Sequence, residues 1–357
     1  MVWNPEVPYD TLTLLPPAAE LETRRVLKHT IAARDALARF DIRAQGLPNP
    51  TVLINAIPLL EAQASSEIEN IVTTTDELFS GLATTSNVSP ATREALRYRS
   101  ALHEGWEQIG RRPLTANTAL EICAVIRGHD EGFRRGEVYI GDVGNRRRVY
   151  TPPVNEDALE KLRDNWSWFL NEESDLDPIV RMAVAHYQFE AIHPFSDGNG
   201  RTGRIMNVLM LCDAGVLHLP LLYLSRHIIE TKDTYYRLIH QVTSTGKWED
   251  WILYIVDGVR STAVRTTAII DEIQGVHTAL LDQVRLVVGS ANHDLAGVLM
   301  EQPYARSREV MAACDVSRPT ASKWLKGLVE IGVLKELKVG RDVLFINLPL
   351  MEVLRGT

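Results

Sequence analysis

The stretch His193-Pro-Phe-Ser-Asp-Gly-Asn-Gly-Arg-Thr-Gly-Arg204 decides how the rest of the chain is read. An apolar helical run, opened by the cap signal Asp177-Pro178, leads up to it, and a second runs over about 202–213. A short loop therefore joins two helices, with Arg201 and Arg204 in the first turn of the second. A helix start exposes unpaired N–H groups at the positive end of the macrodipole. Gly198 and Gly200 let an anion approach that backbone closely, so the segment reads as an anion cradle. Arg201 and Arg204, at i and i+3, share a face and suit forked binding of phosphate oxygens. Their positive charge opposes the macrodipole, a misfit that a bound anion removes. Asp197 is a hard oxygen ligand suited to Mg²⁺ on a nucleotide. His193 has a titration range suited to proton removal near neutrality. Together these parts fit nucleotidyl or phosphoryl transfer to a hydroxyl.

Competing readings of the same residues fit less well. Asp-Gly-Asn-Gly is a common hairpin turn, but here helical runs flank it. A calcium loop starting at Asp197 needs Gly at 202 and Glu at 208, where the chain has Thr202 and Val208. No GxxxxGK[ST] occurs. His186, Glu190 and His193 have metal-like spacing, yet no second Glu-x-x-His completes a di-iron site. His186 reads as a hydrogen-bonded core histidine.

The stretch resembles the signature of the Fic family, HxFx[D/E]GNGRxxR, and matches every fixed position. Its approach, Ala185-His-Tyr-Gln-Phe-Glu-Ala-Ile-His193, is similar as well. The resemblance implies transfer of AMP from ATP to a Ser, Thr or Tyr hydroxyl of a target protein, self-modification included. By the same resemblance His193 would be the general base and Asp197 the Mg²⁺ ligand. Gly198, Asn199 and Gly200 would line the phosphate cradle, Arg201 and Arg204 would bind phosphates, and Phe195 would plug into the core. Ser65-Ser-Glu-Ile-Glu69-Asn70 resembles the family's inhibitory motif [S/T]xxxE[G/N]. There Glu69 would pair with Arg204 and compete with the γ-phosphate. In some relatives such a glutamate orients water for AMP removal, an alternative the sequence leaves open. Tyr235 and Tyr236 resemble a segment flanking the adenine, and either also fits a core position. The hairpin 136–151 occupies the place of the family's flap, where Val138 and Ile140 would clamp an extended target segment. The run Arg146-Arg147-Arg148 reads equally as a target contact or a solvated turn. Pro48-Asn-Pro50 also falls in family order, and the resemblance covers roughly residues 10–290.

Working outward, helices are expected over 20–40, 53–71, 91–105, 117–128, 158–171, 231–244, 248–257 and 259–288. Strand-like alternation flanks Asp142-Val-Gly-Asn145. After Gly289-Ser290 the order becomes helix, turn, helix, hairpin, that of a winged helix-turn-helix. Ala321, Leu328 and either Trp324 or Leu325 would point inward from its second helix. The fold expected is mainly α: a Fic-type helical bundle with a β-hairpin flap and a small C-terminal winged helix domain. Its parts are a 1–95 helical region bearing the inhibitory motif, a 96–290 catalytic core and a 291–357 winged helix domain.

The chain has 357 residues and a net charge of −8, which excludes a basic nucleic-acid coat overall. Residues 301–357 hold 9 Lys and Arg against 7 Asp and Glu, a balance of +2, while the rest carries −10. Arg318, Ser322, Lys323 and Lys326 would face DNA from the second winged-domain helix, with Arg341 on the wing. A balance of +2 is weak for nucleic acid, so protein docking or homodimerisation is the other reading. A DNA-binding regulator whose body senses ATP competes with the transferase; His193 favours the transferase, because a sensor needs no base. The three cysteines, Cys123, Cys212 and Cys314, form no CxxC and suggest a reducing compartment. With no leader pattern in MVWNPEVPYD and no apolar span free of polar residues, a cytoplasmic location without membrane contact is expected.

Overall fold

Cap residues and glycines divide this chain into fifteen helices and five strands among the residues described. The computed structural model describes residues 3–47, 51–83, 88–142, 147–222, 224–290, 292–339 and 342–356. Pro48-Asn-Pro50, residues 143–145 of the expected hairpin, Arg146 and Arg341 lie outside the described residues.

The body contains α1 (Arg24–Gln45), α2 (Thr51–Ile68), α3 (Thr75–Ala83), α4 (Pro90–Glu107) and α5 (Ala116–Arg127). A hairpin of β1 (Ile140–Asp142) and β2 (Arg147–Tyr150) follows. Next come α6 (Glu156–Asn171), α7 (Pro178–Ile192), α8 (Asn199–Asp213), α9 (Leu224–Glu230), α10 (Lys232–Thr245) and α11 (Glu249–Val288). The C-terminal part has α12 (His293–Glu301), β3 (Tyr304–Arg306), α13 (Ser307–Cys314), α14 (Arg318–Glu330), β4 (Leu334–Val339), β5 (Asp342–Asn347) and α15 (Leu348–Arg355). Its sheet is antiparallel in the order β3-β5-β4.

Local chemistry sets the boundaries. Ser89 accepts from the Thr92 amide ahead of Pro90, and Asp177 Oδ1 accepts from the Ile179 amide ahead of Pro178. Proline fits the first helical position, where its missing N–H would have no partner anyway. Gly128, Gly246 and Gly289 end α5, α10 and α11 in the left-handed conformation.

Helix α7 is apolar on nearly every face and runs through the centre, with Val180, Ala183, Val184 and Phe189 all buried. Helix α8 packs beside it, and α2, α4, α5, α6 and α11 surround the pair. The loop between α7 and α8 is thus held by two buried helices.

Two expectations need correction. The helices expected over 248–257 and 259–288 are one continuous helix, α11, about 60 Å long. Gly258 does not break it. A Cβ there would lie 2.8 Å from the His227 ring, so the missing side chain lets α9 approach. The short helices α3, α9, α12 and α15, and strand β3, were not expected from the pattern.

The winged part is fastened to the body. Helix α11 also packs against α12, α14 and α15. Arg355 forks onto Asp76 of α3 at 2.6 and 2.8 Å, and Asn55 of α2 donates to the Glu301 carbonyl at 3.0 Å. In α14, Ala321, Leu325 and Leu328 point inward, Trp324 is half-buried, and Arg318, Lys323 and Lys326 are exposed. No helix among the described residues is long and apolar enough to cross a membrane.

Candidate active site

The site is built on the turn between α7 and α8. His193 closes α7 as a left-handed residue, φ 51°, its amide donating to the Phe189 carbonyl at 2.9 Å. A non-glycine residue there is strained by roughly 1–2 kcal/mol, so its surroundings must hold it. They do so from several sides. Asn199 accepts from the Phe195 amide at 2.9 Å and donates to the Phe195 carbonyl at 2.8 Å. Phe195 is buried between Phe133 and Phe189, at ring distances of 5.8 and 6.1 Å. Arg127 reaches Ser196 Oγ at 2.8 Å and pairs with Glu131 at 2.7 Å.

Gly198 starts α8 with φ 84° and no side-chain cap, so the first-turn donors are left for another acceptor. A Cβ on Gly198 would also approach Cys123 Sγ to 3.3 Å. Gly200 opens the cradle floor: a Cβ there would lie 2.7 Å from both Arg204 Nη1 and Glu69 Oε1.

Arg201 and Arg204 are both buried. Glu69, from the end of α2, bridges them. Its Oε1 accepts from Arg204 Nη2 at 3.0 Å, and its Oε2 lies 2.6 Å from Arg201 Nε. Arg204 also donates to Ser65 Oγ and to the Ser65 carbonyl, each at 2.8 Å. Arg201 further pairs with Glu94 of α4 and, more loosely, with Asp197 at 3.4 Å. Burial works against the charge on both arginines. For Arg204 burial is the largest single effect, but Glu69, Tyr98, Tyr235 and Glu190 together outweigh it, and its pKa rises. For Arg201 burial prevails over the same partner, and its pKa falls.

The imidazole of His193 is half-buried, and its Nδ1 is shut from solvent without a hydrogen-bond partner among the described residues. Burial, with the positive charge of Arg134, lowers its pKa to about 4. The ring is therefore neutral near pH 7 and able to accept a proton. Burial raises the neighbouring Glu190 carboxyl to about 7.

The remaining expected residues lie at varied depth. Tyr235 is buried, its hydroxyl 2.9 Å from His186 Nε2, and so belongs to the core under the cradle. His186 is lowered to about 3 by burial and by Arg204. Tyr236 is exposed and meets Tyr235 edge-on at 5.2 Å. On the hairpin, Ile140 and Val138 are half-buried, whereas Tyr139 is exposed under the Arg148 guanidinium, 4.8 Å from the ring centroid. Asp197 is open to solvent on the cradle's rim.

The sequence reading missed three residues. Glu94 reaches Arg201 from α4. Lys232 donates to the Ile68 carbonyl at the end of α2, 2.7 Å away. Arg134 binds carbonyls around His193. None stands in a motif, and their partners are distant in sequence.

The donor set fits magnesium on a nucleotide. Among the described residues no group of three or more acidic, His or Cys side chains could enclose a metal ion. Mg²⁺ commonly takes one or two carboxylates and completes its shell with phosphates and water, as Asp197 beside an open cradle allows.

Three family models match the chain: Fic/DOC family N-terminal over residues 27–107, Fic/DOC family over 113–211, and Protein adenylyltransferase SoFic-like, C-terminal domain, over 290–350. The chain is 37% identical over 125 residues to Protein adenylyltransferase fic-1 of Caenorhabditis elegans, covering 34% of this chain and 22% of that protein. It is 33% identical over 156 residues to Protein adenylyltransferase Fic of Culex quinquefasciatus, covering 42% and 28%. The match thus spans less than a third of either relative's length. In fold it is similar to a Fic family protein from Desulfovibrio desulfuricans G20, with TM-score 0.60, 22% identity and 93% and 98% of the two chains covered. It is also similar to residues 134–508 of Fic-1 from C. elegans, with TM-score 0.55, 22% identity and 69% and 73% covered.

Proposed function

This chain belongs to the Fic family, and on that premise we propose that it is a protein adenylyltransferase held down by its own helix α2. The reaction would pass AMP from ATP to a Ser, Thr or Tyr hydroxyl. The observation that carries this reading is Glu69, bridging Arg201 and Arg204 beside the uncapped start of α8.

Each residue then has a chemical task. The first-turn amides of α8, with Arg201 and Arg204, bind phosphate oxygens and offset the charge that grows as the α-phosphorus is attacked. Asp197 would hold Mg²⁺, which supplies charge neutralisation on the phosphates. His193 takes the proton of the target hydroxyl as its oxygen bonds to the α-phosphorus, and pyrophosphate leaves. The hairpin edge beside Val138 and Ile140 would pair with the segment bearing that hydroxyl. Tyr236 is the better placed of the two tyrosines to flank an adenine, because Tyr235 is committed to His186.

Glu69 opposes this chemistry by occupying both guanidinium groups. A γ-phosphate competing for Arg204 must displace a half-buried carboxylate held by two guanidinium groups. The test uses ATP labelled at the α- or the γ-phosphate with wild type, Glu69→Gly and His193→Ala. Label from the α position only, increased about tenfold or more by Glu69→Gly and lost in His193→Ala, is expected. Label from the γ position would mean phosphorylation instead. Unchanged labelling in Glu69→Gly would remove the inhibitory role, and no label in any variant would remove the transferase.

A contact role for the winged helix domain is favoured over DNA binding. The Asp76–Arg355 fork and the Asn55–Glu301 bond tie it to α2 and α3. DNA remains the competitor through the exposed Arg318, Lys323 and Lys326, and a salt-dependent gel shift with the full chain separates the two.

A further inference from the structure

Arg134 is a buried guanidinium without a carboxylate partner among the described residues. Burial works against its charge and lowers its pKa. Such a group is costly unless its donors are satisfied, and here backbone carbonyls satisfy them. Its Nε donates to the His193 carbonyl at 2.6 Å, and Nη2 to the Ile192 carbonyl at 3.1 Å. Its Nη1 donates to the Gly136 carbonyl at 2.8 Å, and Nη2 also to the Pro153 carbonyl at 2.7 Å. Its own amide donates to the Pro194 carbonyl at 2.9 Å.

These acceptors fall into two groups. Ile192, His193 and Pro194 form the turn that presents the imidazole, and His193 is its strained left-handed residue. Gly136 and Pro153 are the entry and exit of the hairpin proposed to hold the target. One planar group therefore binds the base's turn and both legs of the hairpin. Guanidinium suits the task, because its donors diverge in one plane at fixed angles.

We propose that Arg134 is a positioning residue for AMP transfer: it sets the place of the His193 imidazole relative to the hairpin, and so to the incoming hydroxyl. This rests on the transferase reading. Among the described residues it makes no hydrogen bond to either phosphate-binding arginine, so nucleotide binding and transfer should respond differently to its loss.

The test compares Arg134→Gln and Arg134→Lys in the full chain carrying Glu69→Gly. Three quantities are read: MgATP affinity by calorimetry, the rate of self-labelling from α-labelled ATP, and amide hydrogen exchange. Both variants should keep the affinity within about twofold and lose about 100-fold in rate, the scale of a misplacement near 1 Å. Lysine should not rescue, since one ammonium cannot span both groups of carbonyls. Exchange should quicken at both hairpin legs and in the 194–199 loop, and stay unchanged in α2. If Arg134→Gln does not fold, Arg134→Lys decides alone. Labelling at the parental rate in a folded variant would overturn the proposal. So would a parallel loss of ATP affinity and rate, or unchanged exchange in the hairpin and loop. No label in the Glu69→Gly parent would instead remove the transferase reading, and with it the catalytic role; exchange would then report only whether Arg134 couples the two segments.

Discussion

The cradle loop at 193–204 and the hairpin at 136–151, proposed to serve the same reaction, are built on opposite terms. The loop joins two buried helices and is locked from within by Asn199 bonding both backbone groups of Phe195. From outside it is held by Arg127 on Ser196 and Arg134 on His193. The hairpin has only two short strands, a register irregularity at Ile140/Gly141, and an exposed Tyr139. The difference suits the tasks proposed for them. Phosphate chemistry depends on donors fixed in advance, whereas pairing with a target segment needs an edge free to accept one.

The comparison can be broken most severely at its chemical centre. His193→Ala should reduce self-labelling in the Glu69→Gly background by about 10²–10⁴-fold with ATP affinity kept; calorimetry beside the labelling rate checks both. Because burial and Arg134 hold the His193 pKa at about 4, that rate should stay level from pH 8 to below the ordinary imidazole value of 6.5. An acid limb at 6.5 would show the base to be solvated. Asn199→Ala probes the lock. Losing both Phe195 bonds should cost about 1–3 kcal/mol of stability and lower both ATP affinity and rate, read by thermal melts and calorimetry.

The hairpin should respond mildly. Tyr139→Ala removes an exposed ring and its contact with Arg148, so it should leave the melting temperature unchanged. Its expected effect on labelling is about three- to fivefold, that of an exposed contact worth near 1 kcal/mol. A larger loss would show that the hairpin is as fixed as the loop.

The smallest effect concerns the floor beneath the cradle. His186 is neutral in the fold, with a pKa of about 3 set by burial and Arg204. The unfolded chain takes up its proton near 6.5, so stability from this group is whole above that value and declines as pH falls toward 3. His186→Phe should flatten the melting temperature against pH across that window. Comparing the two slopes cancels the opposite contribution of Glu190, whose raised pKa is common to both proteins.

Local signals were legible where physics is local. Asp177-Pro178 and Ser89-Pro90 mark helix starts because a side-chain oxygen meets an amide two or three residues on. Apolar spacing marked Ala321 and Leu328 as inward, and both are buried. Gly258 misled the reading, since glycine serves equally as a breaker and as a close-approach residue, and only the position of His227 decides. The short α3, α9, α12 and α15 show too few turns for periodicity to declare itself. Glu94, Lys232 and Arg134 were invisible because their partners are distant in sequence and, for two of the three, backbone carbonyls that every residue carries.

By itself the sequence determined the chemistry available: an imidazole, a carboxylate, two glycines and two arginines in one turn between helices. It also determined the mainly helical class, through caps and periodicity, which act over a few residues. Only the tertiary structure decided which carboxylates meet the arginines. Glu69 reaches Arg204 across 135 positions of chain, and the resemblance could indicate that pair but not its shared hold on Arg201. Arg134 likewise gathers carbonyls from either side of the hairpin. Such contacts form because packed helices fix distant segments side by side, and no spacing along the chain encodes that distance.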